Sequence, residues 1–553
     1  MINKDSSMDQ SKRVIFVTGG VLSSLGKGIV ASSLGTLLEK EGLNVTIVKA
    51  DPYLNIDSGT MSPYQHGEVF VTEDGAETDL DLGYYERFLN RPMTKQNHIT
   101  SGKVFFETIL RERKGDYLGG TVQVIPHITD EIKRQILNQP VDIDVIIVEI
   151  GGTVGDIESL PFLEAVRQLR FEIKHTLSVH VTLVPFIETS GEIKTKPTQH
   201  SVKELRSLGL NPDLIVCRSS VSLPKDHRKK IALFANMHPD CVFENPDVKT
   251  IYQVPLILQQ QGMLEKVMDK LSLTAKNKVV MDDWKRMVES IIHPLHEVNI
   301  AIVGKYSSLA DAYKSINESL LHAGIALNAK VNIHYIPSEE LEEDGHSIDE
   351  RLQQFDGILV PGGFGERGIK GKIATATYCR INKKPYFGIC LGMQLAVIEY
   401  VQNVIGYAEA TSAEFNPQAE HKVFHLMTDW IDDQNHVQQR TEQSDKGGTM
   451  RLGSQLCELQ EGTQVYNIYK RKEISERHRH RYELNSIYID QLQKHGMTVA
   501  GYSAHQHLAE VIELSDHPWF IGTQFHPEFQ SKPTQPHPLF VNFIKTALEI
   551  KSS

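Results

Sequence analysis

The chain is poor in the features that mark secreted, membrane-spanning or nucleic-acid-binding proteins. It has 5 cysteines among 553 residues, at Cys217, Cys241, Cys379, Cys390 and Cys457. The number is odd, and none of them shows the close pairing of zinc sites or disulfide frameworks, so reduced thiols are expected. No stretch approaches the roughly 18 consecutive apolar residues of a membrane span, and the opening MINKDSSMDQSKR lacks the apolar centre of a signal peptide. A cytoplasmic protein with no membrane partner is expected. Lys and Arg (58) are outnumbered by Asp and Glu (70), a formal net charge of -12. This argues against a nucleic-acid partner, so any phosphate binding must come from local basic loops, and small ligands are expected. No Pro, Gly or Gln excess points to disorder, and 40% hydrophobic with 23% charged residues is ordinary for a globular chain.

What is present is a repeated alternation of short β-branched runs with helical stretches. It runs through Val14–Thr18, Val45–Lys49, Val145–Ile150, Thr182–Ile187 and Leu214–Cys217, and starts again at Asn299–Val303, Lys330–Tyr335, Gly357–Val360 and Tyr386–Ile389. Such alternation predicts an α/β chain of two doubly wound, mostly parallel-sheet domains, since one core cannot serve this length. The expected boundaries are residues 1–273 for the first domain, 274–297 for a polar connector and 298–553 for the second.

The first domain opens with a strand, Val14–Thr18, followed by Gly19-Gly20-Val21-Leu22-Ser23-Ser24-Leu25-Gly26-Lys27-Gly28 and an amphipathic segment from Ile29 to Glu41. Strand, glycine loop, lysine and helix form a phosphate cradle. Backbone N–H groups reach phosphate oxygens, the helix N-terminus adds positive potential, and Lys27 neutralises charge. Val21 stands where the common pattern has its first glycine, and Gly28 replaces the hydroxyl residue that usually helps hold magnesium. Metal ligands must then come from elsewhere. Glu149, closing an apolar strand at its carboxyl end, and Asp81 are the candidates; Asp81 alone also reads as a solvated or helix-capping carboxylate. In Gly191–His200, Lys194 and Lys196 fall on one side if the segment is extended, which suits a second polyphosphate site or a solvated basic turn.

The second domain carries Gly388-Ile389-Cys390-Leu391-Gly392 between a strand and an apolar helix. A sharp strand-to-helix turn exposes a nucleophile, and the helix N-terminus favours a thiolate. Gln524-Phe525-His526-Pro527-Glu528 offers a base and an orienting carboxylate two residues apart, on one side of an extended segment. Oxyanion donors are expected from Pro361-Gly362-Gly363-Phe364-Gly365. Each piece has a structural reading of its own, but their joint order points to Cys390, His526 and Glu528 as catalytic.

These stretches, together with Gln65–Glu77, Val148–Glu158 and Lys194–Gln199, resemble the CTP synthase family from Val14 to about Phe543. The second half is similar to class I glutamine amidotransferase domains. The resemblance implies an N-terminal P-loop synthetase domain that aminates UTP with ATP, fed by ammonia from the C-terminal glutaminase domain. It places ATP on Ser24, Leu25, Gly26, Lys27, Gly28 and Ile29, with Asp51 nearby, and Mg2+ on Asp81 and Glu149, Asp81 also serving ATP. UTP, and the inhibitor CTP overlapping it, would take Ser23, Asp156, Ile157, Glu158, Lys194, Thr195, Lys196, Pro197, Thr198, Gln199 and Lys230. Glutamine would take Gly363, Leu391, Gly392, Met393, Gln394, Glu414 and Arg481. The resemblance also implies a lid at Arg440–Arg451 linked to activation by GTP, His66 lining an ammonia passage, and a homotetramer. Apart from the resemblance, two other readings stand: a glutamine-dependent P-loop ligase that amidates a carboxylate, and a P-loop switch ATPase.

Overall fold

Runs of β-branched residues pair where the sequence alternation predicts. The computed structural model describes residues 12–277, 279–305, 309–342, 348–426, 429–431, 437–439 and 450–552. Its contacts form two units: the chain up to Ser58 with Asp81–Val288, and Gly59–Leu80 with the chain from Glu289 onward.

The first unit is built on a 7-stranded sheet. Its order is Val242–Pro246, Leu214–Ser219, Thr176–Leu183, Arg13–Gly19, Val145–Ile150, Val45–Asp51 and His98–Thr100. Every pairing is parallel. Parallel strands are covered on both faces, which is why Val14, Ile15, Phe16 and Val17 are all fully buried. The strand expected at Thr182–Ile187 instead occupies Thr176–Leu183, with a separate short strand at Phe186–Ile187. Pro185 has no N–H to continue the ladder, so the strand ends before it.

The second unit carries a 9-stranded sheet that is parallel from Ala329–Pro337 through His296–Gly304, Gly357–Val360 and Tyr386–Ile389 to Phe520–Thr523. It continues antiparallel through Ala509–Leu514, Met497–Ser503, Arg451–Leu459 and Glu473–His480. Strand periodicity divides its core. Ala301, Val303, Ile358 and Val360 pack on one face, and Ile300, Ile302, Leu359 and Phe387 on the other. The chain is thus mixed α/β with two sheets, as the alternation predicts.

The contact division differs from the boundaries expected from composition. Trp284, in the presumed connector, lies on helix Asp282–Ile292 and is 2% exposed. Its indole N–H donates to the Tyr252 carbonyl at 2.6 Å, and its ring packs 5.6 Å from Phe88 and 6.0 Å from Tyr252. Residues 59–80, for their part, pack with the second unit: Glu68 accepts from Ser315 N at 2.8 Å, and Glu77 Oε1 pairs with Arg479 Nε at 2.9 Å. Composition marks polar stretches; it does not reveal which core an amphipathic face enters. Trp284→Ala should therefore destabilise the first unit by about 3–5 kcal/mol, read as a lower urea midpoint, whereas a solvated connector would tolerate the change.

Candidate active site

In the first unit, strand Arg13–Gly19 delivers the loop to helix Lys27–Lys40. The turn is tight: Val21 has φ 85, Ser24 φ 59 and Gly26 φ 86. Left-handed backbone at a valine is strained and needs the surrounding structure to hold it. Lys27 is buried, with Nζ donating to the Gly152 carbonyl at 2.7 Å. Burial pulls its pKa down, opposed by Glu149.

A residue the sequence reading passed over organises this site. Lys49, buried at the end of strand Val45–Asp51, pairs with Asp81, with Glu149 Oε1 at 3.2 Å and with Asp51 Oδ1 at 3.7 Å. Burial alone would lower its pKa, but the combined field of Asp51, Asp81 and Glu149 raises it well above the usual lysine range. Burial pushes Glu149 up. The signal was present in VTIVKAD: a lysine inside a run of buried β-branched positions needs a partner.

Asp81 and Glu149 also face the loop. A Cβ on Gly28 would come within 3.1 Å of Asp81 Oδ1 and 3.2 Å of Glu149 Oε2, so a hydroxyl residue there would crowd both carboxylates. Paired carboxylate oxygens suit Mg2+, which usually takes one or two carboxylates and completes its shell with phosphate oxygens and water. Among the described residues no group of three or more His, Cys, Asp or Glu could hold a metal. A cation bound by these two carboxylates would therefore draw its remaining ligands from a bound nucleotide and water.

The residues expected to meet UTP lie on loops and helix starts. Ser23, Asp156, Ile157, Glu158, Lys194 and Lys196 are exposed, with Ile157 at 75%. The expected extended geometry at Lys194 and Lys196 is corrected. Lys194 follows the short strand Glu192–Ile193 and pairs with Glu192, whereas Lys196 starts helix Lys196–Ser207. Pro197, with its φ already set for a first helical turn, favours that start. Thr195, Thr198 and Gln199 are buried beneath, Gln199 donating to Thr195 Oγ1 at 3.0 Å. Lys230 lies exposed on helix Lys225–Ala235.

In the second unit, strand Tyr386–Ile389 turns at Cys390 into helix Leu391–Tyr400. Cys390 sits at the helix N-cap with φ 52 and ψ -106, and Gly392 must be glycine because a Cβ would lie 2.0 Å from the Val360 carbonyl. Gln524 Nε2 donates to Cys390 Sγ at 3.7 Å, and Sγ lies 3.8 Å from the Arg479 carbonyl. His526 Nδ1 and Glu528 Oε1 are 2.7 Å apart, both buried. The link is made by a 3-10 turn, Pro527–Gln530, and not by an extended strand. Burial would lower the His526 pKa, but the negative charges of Glu528 and Cys390 outweigh it and raise the ring from 6.5 to about 10. The stabilisation by this imidazolium is complete below about 6.5 and is lost as pH rises through about 10. At neutral pH the ring can give a proton.

A cavity of about 350 Å³ opens beside this pair, lined by Gly362, Gly363, Phe364, Arg481, His526 and Glu528, and by Gly59–Met61 and Glu68–Val69 of the inserted segment. His66 ends the helical turn Pro63–His66 between those two stretches. Of the residues expected to hold glutamine, Gly363 and Arg481 line the cavity. Glu414 Oε1 accepts from Gly365 N at 2.9 Å; Gln394 Nε2 donates to Gln524 Oε1 at 3.1 Å; Leu391 and Met393 are buried in the core. Arg479 was missed, and its guanidinium lies 5.2 Å from the Phe364 ring centre. Of the expected lid Arg440–Arg451, residues 440–449 lie outside the described residues. The other cysteines fit structural roles: burial pushes Cys217 up to about 12, and Cys379 and Cys457 higher.

Residues 13–273 match the family described as CTP synthase N-terminus, and residues 308–546 match Glutamine amidotransferase class-I. A curated CTP synthase of Maridesulfovibrio salexigens is 54% identical over 544 residues, covering 98% of this chain and 99% of the relative. Among solved structures, the glutaminase domain of Trypanosoma brucei CTPS with bound acivicin is 38% identical, covers 46% of this chain and 94% of that one, and has a TM-score of 0.41. A match of this identity along nearly the whole length leaves one assignment: the chain belongs to the CTP synthase family of glutamine-hydrolysing carbon–nitrogen ligases.

Proposed function

We propose that this enzyme aminates UTP at C4, after ATP has phosphorylated the C4 oxygen, with ammonia released from glutamine at Cys390. The observation that carries the glutaminase part is the buried His526–Glu528 pair, 2.7 Å apart and electrostatically coupled to Cys390 at its elbow. The Cys390 thiolate attacks the glutamine carboxamide carbon. As the C–N bond breaks, His526 gives its proton to the departing ammonia. Water then enters with His526 as base, the thioester opens, and glutamate leaves with the Cys390 sulfur restored.

On the synthetase side, the C4 oxygen of UTP attacks the terminal phosphorus of ATP and ADP departs. Ammonia adds at C4 and phosphate leaves. Phosphorylation turns a poor leaving group into a good one. Lys27 and Lys49 place positive charge beside the loop where the ATP phosphates would lie, on Ser24–Ile29. Asp81 and Glu149 would hold Mg2+, which when bound offsets phosphate charge. Ser23, Asp156–Glu158, Lys194–Gln199 and Lys230 form the proposed UTP site, overlapped by inhibitory CTP. Glutamine is assigned to Gly363, Leu391–Gln394, Glu414 and Arg481, and GTP activation to the lid ending at Arg451.

A cytoplasmic homotetramer with small-molecule ligands is the proposed working form. Helix Ser101–Lys114 supports assembly: Phe106, Ile109 and Leu110 are 48%, 56% and 41% exposed at the spacing of one helical face, and Leu118 nearby is 95% exposed. No described helix is long and apolar enough to cross a membrane.

Purified protein given UTP, ATP, Mg2+ and glutamine should form CTP, followed by absorbance. Cys390→Ala should lower glutamine-dependent synthesis by roughly 1,000-fold or more while ammonium still supports it; Lys27→Ala should lose both. Loss of the ammonium reaction in folded Cys390→Ala would contradict the division of labour. A second test uses pH. Glu528→Gln removes a charge that holds the imidazolium, so the alkaline limb of glutamate release should move to lower pH, whereas an unmoved limb would contradict the proton-donor role of His526.

A further inference from the structure

The loop Pro361–Gly365 has a feature that the reaction scheme above leaves unused: its carbonyls are taken by lysines. Lys372, on helix Ile369–Ile381, is 0% exposed, and its Nζ donates to the Pro361 carbonyl at 3.2 Å. Lys305, 5% exposed at the end of strand His296–Gly304, donates to the Phe364 carbonyl at 2.8 Å and also binds the Gly365 carbonyl. Arg367 Nη2 holds the carbonyl of Lys305 at 2.9 Å, and Glu414 Oε1 accepts from Gly365 N at 2.9 Å.

We propose that Lys372 is a positioning residue for glutamine hydrolysis: by holding the Pro361 carbonyl away from the reacting centre it keeps the Gly362 N–H available to the oxyanion, while Lys305 fixes the far end of the same loop. The inference rests on the glutaminase reading given above and deepens it.

A trans peptide is planar, with its C=O and N–H pointing in opposite directions. A carbonyl fixed on Lys372 therefore turns the N–H of Gly362 away from that lysine. Gly362 itself lies against the reacting pair, since a Cβ there would be 3.1 Å from His526 Cε1 and 3.5 Å from Cys390 Cβ. The next residue, Gly363, has φ 155, a backbone that side-chain-bearing residues rarely adopt. When the thiolate attacks, the C–S bond forms and the carbonyl π electrons move onto oxygen. N–H donors already in place stabilise that charge without reorganising, whereas a flipped peptide would present a carbonyl oxygen and repel it.

Burying an ammonium against a single carbonyl is costly, which makes an otherwise structural lysine a poor choice at residue 372. Burial, joined by the nearby Lys305 charge, lowers its pKa to about 7. Burial likewise lowers Lys305 to about 8. An amine donates N–H in either protonation state, so the loop stays held across this range.

The test is Lys372→Met, which fills the same space without a donor. Glutamate release should lose roughly 10- to 100-fold in kcat, with KM for glutamine changed by less than about 2-fold. Inhibition by an aldehyde analogue of glutamine, whose carbonyl carbon forms a tetrahedral adduct with Cys390, should weaken by the same factor as kcat. The Tm should not fall, because the substitution removes a desolvated amine. Lys305→Met, measured in the same way, should move kcat and aldehyde affinity in the same direction, and it serves if the first variant does not fold. Wild-type kcat and aldehyde affinity in a folded Lys372→Met protein would overturn the inference. So would a kcat loss with unchanged aldehyde affinity. If the unaltered enzyme neither releases glutamate nor binds the aldehyde, the glutaminase reading itself has failed.

Discussion

The second unit depends on keeping a charged imidazole inside the protein. A buried ion pair is stable only when its geometry is tight and its remaining polar atoms are met, and His526 with Glu528 at 2.7 Å satisfies the first condition. The second is met only at the main chain, since His526 Nε2 and Glu528 Oε2 are buried without a hydrogen-bond partner among the described residues. His526 N donates to the Arg477 carbonyl at 2.7 Å, and the Arg479 carbonyl lies 3.8 Å from Cys390 Sγ, so one strand, Glu473–His480, reaches both His526 and Cys390 through its backbone. Alternate side chains of that strand, His478 and His480, turn into a buried charge cluster in which Arg451 Nη1 pairs with Glu510 Oε1 at 2.6 Å and Glu483 Oε1 at 3.2 Å. The period of two along a strand therefore separates a chemical face from a supporting one.

The first unit solves an analogous problem, again with a buried cation at its centre. Lys49 is buried among Asp51, Asp81 and Glu149, and removing any carboxylate would leave a poorly compensated charge. The arrangement also fixes where Asp81 and Glu149 stand relative to Gly28. Both units thus use charges whose burial is costly to hold functional groups in place, and both place them at the carboxyl ends of parallel strands.

Much of this was legible in the residues. Alternating β-branched runs gave the two sheets, the glycine loop gave Lys27, and the elbow gave Cys390. What escaped reading depends on contacts distant in sequence. Lys372 looks like any helix lysine until its burial is known, and nothing local shows that Pro361 is its partner. Residues 59–80 read as part of the first domain because they lie within its sequence, yet their contacts lie with the second unit. Strand alternation predicts the pairing of His526 with Glu528, but a 3-10 turn, Pro527–Gln530, is what brings them together. At Lys194 and Lys196 the residues likewise predict an extended segment, and Pro197 favours a helix start instead.

The proposed glutaminase chemistry requires Cys390 to carry the glutamyl group in covalent form. Enzyme mixed with glutamine, quenched in acid during turnover and digested for mass spectrometry tests this directly. The predicted result is a glutamyl thioester on the peptide that contains Cys390, absent when glutamine is omitted. Glutamate released at the normal rate with no adduct, or with an adduct on Cys217, Cys241, Cys379 or Cys457, would contradict it.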